Sequence, residues 1–153
     1  MSSHKPVVTT WDAMPSEQVR PGVSRRAIGT KDVICVLNRI EPQMLPGPHV
    51  HEEFDQLAFV ISGRAVYHIG EIGHEVGPGS AMLIPAGVRH WIEPAGDEPV
   101  DNLDVFAPAR TDYLHLLEWM TAGSAPVSGG PAPRPSATGA PAPRTDAQPP
   151  AGT

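Results

Sequence analysis

Between residues 32 and 106 the apolar positions come in short runs rich in β-branched side chains, and no stretch repeats with a helical period. The runs cover residues 32–40, 54–61, 64–69, 81–84, 89–92 and 100–106. Turn-forming words stand between them: Pro46-Gly47-Pro48, Ser62-Gly63, Gly77-Pro78-Gly79 and Pro85-Ala86-Gly87. Short strands spaced in this way predict an all-β sandwich or barrel. Residues 1–24 are weakly patterned and read as an N-terminal arm or a short edge strand near 7–11. Only residues 110–120 carry a helical signature, because Tyr113, Leu116, Leu117 and Met120 recur at i, i+3, i+4 and i+7.

Composition changes the picture at the C-terminal end. Residues 121–153 contain eight Pro, eight Ala and five Gly, with Val127 the one bulky apolar side chain. Such a stretch buries too little surface to offset its ordering entropy, so it reads as a disordered tail. Its repeated Pro-Ala-Pro-Arg, at 131–134 and 141–144, has the look of low-complexity sequence. The folded domain is therefore expected within residues 25–120, enough chain for one core.

Charge and cysteine content narrow the functional classes. The 153-residue chain has 11 Lys+Arg against 17 Asp+Glu, a net charge of −6. No basic cluster exceeds Arg25-Arg26, which argues against nucleic acid or an anionic membrane as partner. The N-terminal residues lack the apolar core of a secretory signal. A single cysteine, Cys35, leaves no internal disulfide and suits a reducing cytoplasm. Cys35 lies mid-run in Val33-Ile34-Cys35-Val36-Leu37, where a buried, inert thiol is expected.

Candidate chemistry rests on the histidines. His49-Val50-His51 places two imidazoles on one face of an extended segment, and His90 follows the turn Pro85-Ala86-Gly87. Donors from separate strands on a stiff scaffold are what a metal site requires. Taken singly, these could equally be surface or hydrogen-bonded histidines, the reading given to His4, His68, His74 and His115. Trp91, beside His90, falls on the opposite strand face, a structural or subunit-contact position.

Two separated stretches together resemble the signature motifs of the cupin superfamily. His49-Val50-His51, four residues, Gln56, six residues and Gly63 are similar to its first motif. Gly79, five residues, Pro85-Ala86-Gly87, two residues and His90 are similar to its second. The sequence departs from the pattern at Gln43, where glycine is usual, at Pro94 in place of asparagine, and at Gln56 in place of glutamate. The resemblance implies a small jelly-roll barrel (a double-stranded β-helix) holding a divalent transition metal such as nickel, zinc, iron or manganese. It also implies a homodimer acting on a small-molecule substrate. His49, His51, Gln56 and His90 would be the metal ligands, with Asp55 as the alternative to Gln56. Three imidazoles and an amide leave a divalent ion its full charge, which favours Lewis-acid over oxygen chemistry.

A third stretch, Leu103-Asp104-Val105-Phe106-Ala107-Pro108-Ala109-Arg110-Thr111-Asp112, resembles the KdgF-type cupins, which linearise unsaturated uronic sugars. Those proteins are also similar to this chain in the word 55–63 around Gln56. The resemblance puts Asp104, Phe106 and Arg110 against the substrate: Asp104 would move a proton, and Arg110 would clamp a carboxylate. Two plainer readings compete, an ion pair of Arg110 with Asp112 or Asp104, and Phe106 as ordinary core. A quercetinase-like dioxygenase and a non-catalytic metal- or sugar-binding cupin are the alternative functions.

Overall fold

The structure is a computed structural model that describes residues 5–121. It contains nine strands: β1 Glu17–Arg20, β2 Val23–Gly29, β3 Ile34–Ile40, β4 Gln56–Ser62, β5 Ala65–Ile69, β6 Ile72–Val76, β7 Ala81–Ile84, β8 His90–Pro94 and β9 Val100–Phe106. They form two sheets, one ordered β1-β2-β3-β9-β4-β7 and one ordered β6-β5-β8, with antiparallel pairing throughout. Six of the strands lie where the apolar runs predict them. The sheets face one another across the interior, and the Pro85-Ala86-Gly87 turn carries the chain from β7 in the large sheet to β8 in the small one.

The predicted strand near 7–11 is absent; a 3-10 turn, Trp11–Ala13, stands there instead. Extended structure begins at Glu17, so the large sheet starts before residue 25. A Pro21-Gly22 turn joins β1 to β2, with Gly22 at φ 78°. The predicted C-terminal helix is a 3-10 helix, Thr111–Met120. A three-residue repeat then aligns Tyr113, Leu116 and Trp119. The first two pack on the cluster of Ala27, Ile34, Val36, Phe106 and Ala109, while Trp119 Nε1 donates to the Ala27 carbonyl at 3.1 Å. The proposed tail, 121–153, lies outside the described residues apart from Thr121.

Period-two alternation places the odd and even residues of each strand on opposite faces. Along β3 the interior positions read Ile34, Val36, Asn38, Ile40, and along β9 they read Val100, Asn102, Asp104, Phe106. Each strand thus starts and ends apolar with a polar centre. One apolar layer gathers Val23, Ile40, Met44, Val60, Ala65 and Val100, and the other is the Phe106 cluster. The polar layer is sandwiched between them. On the outer face of β4 and β7, Leu57, Ile61 and Leu83 are exposed. Cys35 is half-buried on the outer face of β3, and burial raises its thiol pKa. Among the described residues, no helix is long and apolar enough to cross a membrane.

Candidate metal centre and its cavity

Backbone hydrogen bonds bring the three histidines together. His49 N donates to His90 O at 3.1 Å, and His90 N donates back to His49 O at 2.9 Å. Gly87 N donates to His51 O at 2.8 Å, so the loop carrying both imidazoles is stitched to the start of β8. The candidate ligand nitrogens of His49, His51 and His90 consequently lie within 4.8 Å of one another. His49 is exposed, His51 half-buried and His90 buried, which leaves one side of the group open.

The ring orientations favour a cation. His49 Nδ1 lies 2.7 Å from the Gly47 carbonyl and His90 Nδ1 2.8 Å from the Val88 carbonyl. A carbonyl only accepts, so each Nδ1 carries the proton and each Nε2 keeps its lone pair, the arrangement common to metal-bound imidazoles. The buried Nε2 of His90 has no hydrogen-bond partner among the described residues. Burial, then the charges of Arg110, His49 and His90, push His51 down to about 4. Burial is also the largest effect lowering His90. Neutral imidazoles at physiological pH are the form that binds metal.

Asp104 anchors a second group in the same cavity. Its Oδ1 accepts from Gln56 Nε2 at 2.8 Å and from Asn102 Nδ2 at 2.7 Å, and its Oδ2 accepts from Asn38 Nδ2 at 2.8 Å. A carboxylate can only accept, so all three amides are oriented by it. Gln56 Oε1 is thereby turned away from Asp104; it is buried and without a partner among the described residues. An orphaned carbonyl oxygen in the cavity that His49 and His51 also line fits a divalent ion. Asp55 faces elsewhere: it is exposed, and its Oδ1 accepts from Ala86 N at 2.9 Å. Burial pushes Asp104 up to about 7, opposed by the hydrogen bonds from Asn102, Gln56 and Asn38 and by the Arg110 charge.

Phe106 is buried and meets His51, Phe54 and Tyr113 edge to face, so it is core as well as cavity wall. Arg110 donates through Nε and Nη2 to both oxygens of Asp112, at 3.1 and 2.7 Å. Its Nη1 points at His51 Nε2, 3.4 Å away, and its guanidinium lies 3.8 Å from the centre of the Tyr113 ring. Trp91 stacks on its cross-strand neighbour His68 with centroids 4.2 Å apart, and it also borders the cavity.

Asn38, Asn102 and Tyr67 line the cavity beyond the residues expected from sequence. Tyr67 accepts from Gln56 Nε2 at 3.3 Å, and burial holds its hydroxyl far above its ordinary pKa. Asn102 was findable, since it lies two residues before Asp104 on one strand face.

Comparison with known proteins places this architecture. Residues 36–106 match the family described as Cupin domain. The fold is similar to that of KdgF from Halomonas sp., with TM-score 0.64 and 23% identity over 71% of this chain and 98% of that one. An RmlC-like cupin from Shewanella frigidimarina is similar with TM-score 0.63 and 18% identity, covering 73% and 99%. A sugar phosphate isomerase of the cupin superfamily from Silicibacter pomeroyi gives TM-score 0.59 and 24% identity, covering 68% and 76%. No curated protein matches the chain.

Proposed function

We propose that the chain is a metal-dependent, non-redox cupin enzyme for a small, polar, carboxylate-bearing molecule. Its specific reaction in this reading is the KdgF-type opening of a 4,5-unsaturated uronate ring to the linear keto form. The observation that carries the reading is a cavity lined by His49 and His51, with His90 grouped beside them, and by Asp104, a carboxylate on which three amides converge. His49, His51, His90 and the Gln56 carbonyl would hold the ion, which when bound supplies a Lewis acid for a hydroxyl or carbonyl oxygen.

The protein's own groups account for the proton movements. Asp104, poised near pH 7, takes the proton of the anomeric hydroxyl. The bond from the anomeric carbon to the ring oxygen then breaks as the anomeric oxygen forms the aldehyde carbonyl, and its electron pair stays on the ring oxygen as an enolate. Returning the proton to the former alkene carbon gives the ketone, so atoms balance without a co-reactant. Arg110 Nη1, beside His51, faces the oxygen on which negative charge develops. Phe106 walls the cavity, backed by Phe54, and limits water around the reacting atoms.

Metal analysis of the purified full chain, with a screen of unsaturated uronates followed by loss of alkene absorbance, tests the reading. Turnover should require metal and consume no oxygen. Oxygen uptake matched to turnover would instead support a dioxygenase, and metal-dependent binding without turnover a binding protein.

A further inference from the structure

The cavity is more cationic than the protein around it. Arg20, Arg25 and Arg110 line it, and Asp104 is the one carboxylate among its lining residues, in a chain of net charge −6. The three arginines differ in what already holds them. Arg25 donates to Glu17, and Arg110 is engaged through two nitrogens by Asp112. Arg20 makes no ion pair among the described residues; its Nη2 contacts the Met44 sulfur at 3.6 Å.

Two local features aim Arg20 at the site. The β1–β2 register shifts between Gln18 and Arg20, and through this bulge the consecutive residues Val19 and Arg20 both line the cavity. A regular strand would send them to opposite faces. Gly47 provides the second feature. A side chain there would collide with the Arg20 guanidinium, so the glycine lets that plane lie against the loop backbone. The same residue's carbonyl holds His49 Nδ1 at 2.7 Å. The open guanidinium and the histidine rim therefore share one support.

We infer that Arg20 is the substrate-carboxylate clamp, a role the sequence resemblance assigns to Arg110. A planar guanidinium that no carboxylate holds can take one through two parallel hydrogen bonds, giving up only a weak contact to the Met44 sulfur, whereas Arg110 has spent that fork on Asp112. The division leaves Arg110 Nη1 for the reacting oxygen and gives the acid group to β1. This inference rests on the proposed carboxylate-bearing substrate.

The test uses the metal-loaded full chain and two unreactive probes, D-galacturonate and D-galactose, titrated calorimetrically. Wild type should bind the acid at least about tenfold more tightly than the neutral sugar, the scale of one charge-assisted contact. Arg20→Gln should erase this preference, leave galactose affinity and metal content unchanged, and remove the salt dependence of galacturonate binding. Arg20→Lys should restore part of the preference, since it returns the charge without the fork. A full preference in Arg20→Gln would overturn the assignment and leave the proposed function standing. Equal binding of both probes by wild type would also overturn it, with uronate turnover still open to measurement. Binding of neither probe, with no uronate turnover, would sink the proposed function and the clamp together.

Discussion

The histidines and the amides share one cavity but are held in place by different means. Backbone aims the first set: carbonyls of Gly47 and Val88 fix two rings, and reciprocal peptide bonds pin His49 to His90. Gln56, Asn38 and Asn102 are aimed by one side chain, Asp104, on which all three converge. A backbone-held group should lose its members one at a time. A group held by mutual hydrogen bonds should fail cooperatively, because each buried amide depends on the same acceptor.

Four tests would break or sharpen this contrast. His90→Ala should have the largest effect on metal, weakening binding at least about a hundredfold. Melting of the metal-free protein should fall as well, because the ring is buried and its Nδ1 donates to the Val88 carbonyl, so its removal leaves a cavity and an unpaired acceptor. Metal titration and melting with and without the ion check both halves. Asp104→Asn should separate metal binding from turnover. It should retain metal to within about tenfold while kcat falls about 10²–10⁴-fold. It should also cost about 1–3 kcal/mol of stability, since an amide brings donors of its own to a site already crowded with them.

The third test is a double-mutant cycle on Asn38→Ala and Asn102→Ala, read by urea unfolding. Their combined effect should depart from the sum by about 0.5–3 kcal/mol, whereas additivity would mean that the amides act independently. The smallest effect belongs to Glu17, which lies outside both groups. Its carboxyl pKa is lowered by the hydrogen bond from His115 and then by Arg25, against a burial cost. A lowered folded pKa contributes stability above the ordinary carboxylate range that disappears as pH falls through the lowered value. Glu17→Gln should therefore cost a few tenths of a kcal/mol at pH 7, about the size of a partly exposed ion pair, and nothing at pH 2. Melting curves at the two pH values decide it.

Much of the fold was legible because apolar runs and turn words punctuate residues 32–106 so regularly. The same regularity set the spacing of His49, His51 and His90, and therefore their convergence. Strands β1, β2 and β6 were not legible. In β2, Ser24-Arg25-Arg26 reads as polar loop, and β6 is exposed along most of its length, so neither carries an apolar period of its own. The arm boundary at residue 25 was set without them, and Arg20 was passed over with it. Asn38 was missed for a different reason. A polar residue at an alternate strand position looks solvent-facing until topology decides which face is inside. Here Asn38 stands opposite Asn102 on β9 and binds Asp104 in the interior.

The paired peptide contacts between positions 49 and 90 give the donor set a shape that does not depend on what occupies it. On the proposed reading, such a seat can be emptied and refilled while the fold stays intact. The identity of its tenant is then a matter of cellular supply and exchange rate, so the same chain prepared under different growth conditions would carry different ions in the same place.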